Sequence, residues 1–193
     1  FQMGYAEYAS QIIIYRTPYS EQFKKLVELA HKYNKPVFYD IDDLVYDTSY
    51  TDQLEYVKTL GKQEKEAYDS GVRSYGKLMK LCDAFITSTT DLKNELSKLG
   101  KPVYLNRNLA SEELISISKQ AITKNIKDKK KIKIGYFSGS ITHNENFDLI
   151  MPDILRILKE FPQTELHLVG HLTIPDEMKR YKEQLVIHDF VDW

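Results

Sequence analysis

Three carboxylates fall within four residues at Asp40-Ile41-Asp42-Asp43, directly behind the apolar run Val37-Phe38-Tyr39. Successive side chains alternate along an extended chain, so Asp40 and Asp42 point to one side. Carboxylates so placed repel each other, which raises a pKa unless a cation or a hydrogen-bond donor offsets the charge. Such a group can hold magnesium, act as a catalytic acid or base, or contact substrate hydroxyls; in plainer terms it is a set of solvated loop carboxylates or caps of the next segment. A second group lies in Gly135-Tyr136-Phe137-Ser138-Gly139-Ser140-Ile141-Thr142-His143-Asn144, between a strand-like and a helix-like segment. The glycine at 139 allows close backbone approach, the hydroxyls donate hydrogen bonds, and the helix start beyond them favours an anion. A phosphate or pyrophosphate suits these groups, and an ordinary strand-to-helix turn would also look like this. No Gly-Lys-Ser/Thr follows, and the full G-x-G-x-x-G pattern is missing. His143 can donate to a phosphate, polarise a sugar hydroxyl or cap the helix.

Other chemistries find less support. None of His31, His167, His171 and His188 has a cysteine partner, so no metal site is expected. The one cysteine, Cys82, excludes an internal disulfide framework and fits a reducing compartment, so the cytoplasm is the expected location. Twenty-seven basic against twenty-eight acidic residues give no global field for a polyphosphate. The fourteen tyrosines are scattered rather than interleaved with a basic patch, so no nucleic-acid partner is expected. The basic stretch Lys124 to Lys133 reads as a solvated linker; its second reading is peripheral docking on an anionic membrane surface, where each charge is worth about 1 kcal/mol. No run of about 18 apolar residues is present to span a bilayer, and the opening residues lack the pattern of a signal peptide.

These groups must be positioned by the elements around them. The length of 193 residues allows one large domain or two small ones. Short apolar runs alternate with segments of helical period, which predicts βα units and largely parallel sheets. Strands are predicted over 11–15, 37–39, 84–87 and 102–105, then 132–137, 164–169 and 185–191. Helices are predicted from Ser20 (as N-cap), over 51–82 with a break near Gly61, over 91–99, from Ser111, over 147–161 and over 175–184. Gly71 and Gly76 weaken the second of these, since glycine costs about 1 kcal/mol against alanine in a helix interior. Four strands precede the basic stretch and three follow it. Both blocks read as incomplete, with the chain opening at Phe1 and closing at Trp193 right after a strand-like run.

The order of Ile12-Ile13-Ile14-Tyr15-Arg16-Thr17-Pro18, Lys35-Pro36-Val37-Phe38-Tyr39-Asp40-Ile41-Asp42-Asp43-Leu44, Ile134-Gly135-Tyr136-Phe137-Ser138-Gly139-Ser140-Ile141-Thr142-His143 and Leu166-His167-Leu168-Val169-Gly170 resembles bacterial glycosyltransferases of the family 1/family 4 group. The resemblance implies an α/β fold of GT-B type, two Rossmann-like domains facing across a cleft, both incomplete in this chain. Residues 1–108 would form the later part of the acceptor-side domain, 109–131 a helix and basic linker, and 132–193 the first part of the domain for the nucleotide-sugar donor. Ser138, Gly139, Ser140 and Thr142 would approach the donor diphosphate, with Gly170, Phe190 and Val191 on its nucleotide side. Asp40, Asp42, Asp43 and His143 would be the catalytic candidates, and Asn106-Arg107-Asn108 would lead into the hinge. The implied reaction moves a hexosyl group, with retention, from a nucleoside-diphosphate sugar to a glycan, glycolipid or cell-surface polysaccharide, with no cofactor beyond the donor. Two departures stand out. Relatives carry an arginine and a lysine in and after the donor loop where this chain offers Ser, Thr, His143 and Asn144. The Glu-x7-Glu motif for the donor sugar would lie beyond Trp193, so the polypeptide alone is expected to be inactive.

Two other classes fit parts of the sequence. Asp40-Ile41-Asp42 resembles the Asp-x-Asp motif of haloacid-dehalogenase phosphatases, with Phe85-Ile86-Thr87-Ser88 as their hydroxyl-bearing second motif, although Asp43-Leu44 replaces the Gly-Thr expected there. A magnesium-dependent transferase of the other glycosyltransferase fold would not be followed by a fresh βα block. A non-catalytic α/β module that binds or scaffolds is the remaining alternative.

Overall fold

The computed structural model describes residues 4–124, 131–140 and 144–190. The chain divides into two compact units, Phe1–Ala110 and Ser111–Trp193, each built on its own parallel sheet. The helix predicted from Ser111 thus groups with the second unit.

In the first unit α1 (Tyr5–Tyr8) is followed by β1 (Ile12–Tyr15), α2 (Glu21–Lys32) and β2 (Val37–Asp40). Next come α3 (Thr48–Thr51), α4 (Glu55–Thr59), α5 (Lys62–Met79), β3 (Ala84–Thr87), α6 (Thr90–Ser97) and β4 (Val103–Leu105). The strands stand in the order β1-β2-β3-β4, with Ile14 beside Tyr39 and Tyr39 beside Phe85. Helix starts follow the side chains that can satisfy free backbone N–H groups, each such cap being worth about 1 kcal/mol. Ser20 Oγ accepts from the Phe23 N–H at 3.2 Å, and Thr89 Oγ1 accepts from the Leu92 N–H at 3.2 Å. The expected break near Gly61 is present, with Gly61 preceding α5 and its N–H donating to Glu64 Oε2 at 3.0 Å. The stretch 51–82 holds the two helices expected, α4 and α5, on either side of that break, while the short α3, capped by the Asp47 side chain, ends where the stretch begins.

The second unit runs α7 (Glu112–Lys124), β5 (Ile132–Ser138), α8 (Asn144–Glu160), β6 (Thr164–Gly170), a 3₁₀ helix (Asp176–Tyr181) and β7 (Leu185–His188), with strand order β5-β6-β7. Two expectations need correction here. The helix predicted over 175–184 is a single 3₁₀ segment, anchored by one fully buried side chain, Met178. The last strand ends at His188 rather than running to 191.

A right-handed crossover between neighbouring parallel strands always returns over the same face. With strands in sequential order, the crossover helices therefore collect on one side of each sheet. In the first unit that side holds Val37, Tyr39, Leu78, Met79, Phe85 and Leu96, all fully buried. The Tyr39 hydroxyl donates to the Thr17 carbonyl at 2.6 Å, and burial pushes its pKa well above that of a free tyrosine. In the second unit Phe147 and Leu158 of α8 pack on Leu166 and Leu168. On the opposite faces Ile13, Tyr15, Tyr104 and Phe137 are more than half exposed. No described helix is long and apolar enough to cross a membrane.

The two glycines inside α5 differ sharply in their surroundings. A Cβ on Gly76 would lie 2.4 Å from the Tyr46 carbonyl oxygen, whereas a Cβ on Gly71 meets nothing within 4 Å. Gly76 is therefore the contact through which the 46–48 segment reaches the helix backbone. Gly71→Ala is expected to raise stability in urea unfolding by about 0.5–1 kcal/mol. Gly76→Ala is expected to lower it by about 1–3 kcal/mol, although alanine is the better helix former.

Candidate functional site

In sheets of this kind ligands bind beyond the carboxyl ends of the strands. In the second unit the ends of β5 and β6 are stitched together. Ser138 pairs with Gly170 in register, and the His171 N–H donates to the Ser138 carbonyl at 3.0 Å. Gly170 has φ +89°, and a Cβ there would stand 2.2 Å from the Ser138 carbonyl oxygen. Only glycine supplies this conformation and this approach without strain. A second stitch joins the start of α8 to the same loop: Asn144 Nδ2 donates to Thr173 Oγ1, and the Thr173 N–H donates to Asn144 Oδ1, both at 3.1 Å.

Between the two loops lies a cavity of about 570 Å³, lined by Gly139, Ser140, Gly170, His171, Leu172 and Thr173. Gly139 is exposed there, with open space where a Cβ would go. Ser138 is buried, and its hydroxyl donates to the Ser140 carbonyl at 3.0 Å, which shapes the loop from within. The half-exposed Phe190 ring stacks on His171, with centroids 5.1 Å apart and planes 17° from parallel. The cavity therefore offers backbone groups, two hydroxyls and the His171 ring, which Phe190 backs. Thr142, His143 and Val191 lie outside the described residues.

The carboxyl edge of the first sheet carries the three aspartates. Asp40 closes β2 and is half-buried; burial first and the charge of Asp42 second raise its pKa above the ordinary carboxylate range. The repulsion expected between Asp40 and Asp42 is thus present. Arg16 faces the other two: Nη1 lies 3.4 Å from Asp42 Oδ1 and Nη2 lies 3.2 Å from Asp43 Oδ2. Arg16 adopts φ +36°, a left-handed conformation that costs a non-glycine residue about 1 kcal/mol, and its N–H donates to the Asp40 carbonyl at 2.9 Å. Partly exposed ion pairs are worth no more than about 1 kcal/mol each. Their effect here is to set the direction of Asp42 and Asp43, while Asp40 has no cation at ion-pair distance among the described residues.

Sequence reasoning did not single out Arg16, His171 or Thr173 as site residues, and it placed Asn144 only as the end of the donor loop. Arg16 and His171 each stand just past a strand end, the position that would have marked them. The loop partner of Asn144 is 29 residues away, and no local pattern signals it. On the strands, His167 Nδ1 lies 2.9 Å from His188 Nε2, a diagonal contact, since His167 pairs with Val186 and His188 with Val169. Among the described residues no group of three or more His, Cys, Asp or Glu side chains is placed to hold a metal ion.

No protein-family model matches the sequence, and no curated protein matches it. Among solved structures, Anabaena Alr3699/HepE in complex with UDP and glucose gives a TM-score of 0.49 at 13% identity, over 98% of this chain and 50% of that one. The same protein in complex with UDP gives the same values. A UDP-glucosyltransferase from Polygonum tinctorium gives 0.42 at 12% identity, over 95% of this chain and 48% of that one. The chain spans about half the length of these proteins.

Since the Asp42 charge is one cause of the raised Asp40 pKa, removing it must bring that value down. Carboxyl-carbon NMR titration of Asp42→Asn is expected to show Asp40 titrating at lower pH than in the parent chain. It should remain above the ordinary range, because the larger cause, burial, is untouched.

Proposed function

We propose that this chain is part of a glycosyltransferase of the two-domain kind its sequence resembles, moving a sugar from a nucleoside-diphosphate sugar to a glycan or glycolipid acceptor. The observation that carries the proposal is the cavity across the ends of β5 and β6, where Gly139 and Gly170 bring backbone close to the space and Ser140 and Thr173 add hydroxyls. A departing nucleoside diphosphate develops negative charge, and fixed N–H and O–H donors directed at it lower the barrier. In this reading Gly139 and Ser140 hold the diphosphate, Thr142 and His143 complete the loop, and Gly170, Phe190 and Val191 border the nucleotide. The acceptor falls to the carboxyl edge of the first sheet. Asp40 takes the proton that the acceptor hydroxyl loses, its raised pKa making the carboxylate a stronger base, while Asp42 and Asp43, aimed by Arg16, accept from neighbouring hydroxyls. A hexosyl donor, retention at the anomeric carbon and a cytoplasmic location belong to the same reading, with docking at the inner face of a membrane as the second reading of the basic stretch.

The test is calorimetric titration of the 193-residue chain with UDP in metal-free buffer. Saturable one-site binding is expected. Gly170→Ala should weaken it more than tenfold, because the added Cβ collides with the Ser138 carbonyl. Ser140→Ala should weaken it about three- to tenfold, the worth of one hydrogen bond. Absence of saturable binding overturns the proposal. Magnesium-dependent release of phosphate from a phosphate monoester, lost in Asp40→Asn, would establish the phosphatase class instead.

A further inference from the structure

A second cavity, of about 460 Å³, lies in the first unit between the end of α5, the loop after α6 and the 46–48 segment. Its position sets it apart from the aspartates. Lys80 and Lys101, which border it, precede β3 and β4, so this cavity lies toward the amino ends of strands whose carboxyl ends form the Asp40 edge. Met79 and Phe85 line it and are themselves fully buried; Tyr46 is buried and Leu99 half-exposed. An apolar floor of this size can take up the ring or alkyl body of a small ligand.

The rim is cationic. Arg73, Lys77, Lys80 and Lys101 border the cavity, against a single carboxylate, Asp47. Asp47 is already engaged: its side chain accepts from the Ser49 N–H at 2.8 Å, and that bond is the leading reason its pKa lies below the usual range. Arg73 pairs outward with Glu66 at 2.8 Å, and the Lys77 ammonium sits over the Tyr19 ring. The other two cations meet no carboxylate at ion-pair distance among the described residues. Lys101 is instead held by carbonyl oxygens, those of Lys80 (2.8 Å) and Cys82, which fixes its charge without neutralising it. Cations at the end of α5 are favoured by the helix dipole in any case, but Lys101 belongs to another segment and converges on the same space. Charges of one sign around an apolar hollow concentrate the field there and draw in the opposite charge.

We infer that this cavity binds a small amphipathic anion, an apolar ring or alkyl body carrying one carboxylate, sulfonate or phosphate. The body lies on Met79, Phe85 and Leu99, and the anionic group meets Lys80 and Lys101. The site is independent of the nucleotide-sugar reading, because none of its residues lines the cavity in the second unit.

The experiment is a ¹H–¹⁵N NMR titration of the 193-residue chain with naphthalene-2-sulfonate. Shift changes should follow a one-site isotherm and centre on the amides of Thr48, Gly76 and Leu99, which border the cavity. Lys80→Glu, at an exposed residue, should weaken binding at least tenfold, and Leu99→Trp, which fills the hollow, should abolish it, both without loss of the folded spectrum. The neutral analogue naphthalene-2-methanol should bind at least tenfold more weakly, and inorganic sulfate should not saturate. Shifts that map elsewhere, equal affinity for the neutral analogue, or unchanged affinity in both variants would overturn the inference.

Discussion

Every strand pair among the described residues is parallel, and a parallel pair cannot be closed by a tight turn. Each strand must be followed by a crossover that carries the chain back to the starting edge. That constraint gathers the carboxyl ends of all strands of a sheet on one side, and with them the loops that are free to vary. Asp40, Arg16 and the Gly139 and Gly170 turns all occupy such ends. The same constraint, acting on strands in sequential order, places the crossover helices on one face and so decides which residues form the core.

Much of this could be read from residue types alone. The β-branched run before Thr17-Pro18, the cap at Ser20, the break at Gly61 and the division into four strands and three follow from local chemistry, and they appear as expected. What could not be read depends on partners distant in the chain. Gly76 looks like a weak point in a helix until the Tyr46 carbonyl is placed against it. Arg16 looks like the end of a strand until the aspartates 26 and 27 residues later meet its guanidinium. The 3₁₀ segment carries enough helix formers to suggest a regular helix, but a single buried anchor, Met178, does not sustain one. The aspartate run was visible as a candidate from the outset, whereas the lining of the cavity between β5 and β6 depends on His171 and Thr173, whose significance is set by Ser138 and Asn144.

Near-neutrality of the whole chain conceals a separation of charge within the first unit. Twenty-seven cations nearly cancel twenty-eight anions, yet three aspartates cluster at the carboxyl edge of the sheet while four cations gather around the hollow beside α5. Each arrangement is held by short-range geometry: the fork of Arg16 at one, the carbonyls that grip Lys101 at the other. Screening in physiological salt acts over about 8 Å, so each group answers to its immediate surroundings and the net charge is a poor guide to either.

The faces opposite the helices have a practical consequence for anyone handling the chain. Ile13, Tyr15, Tyr104 and Phe137 present aliphatic and aromatic surface on sheets whose outer strands β1, β4, β5 and β7 pair with another strand on one side only among the described residues. Natural proteins shield such margins with charge or a covering element, and a formal charge of −1 gives little colloidal repulsion. Surface of this kind favours self-association as the polypeptide is concentrated.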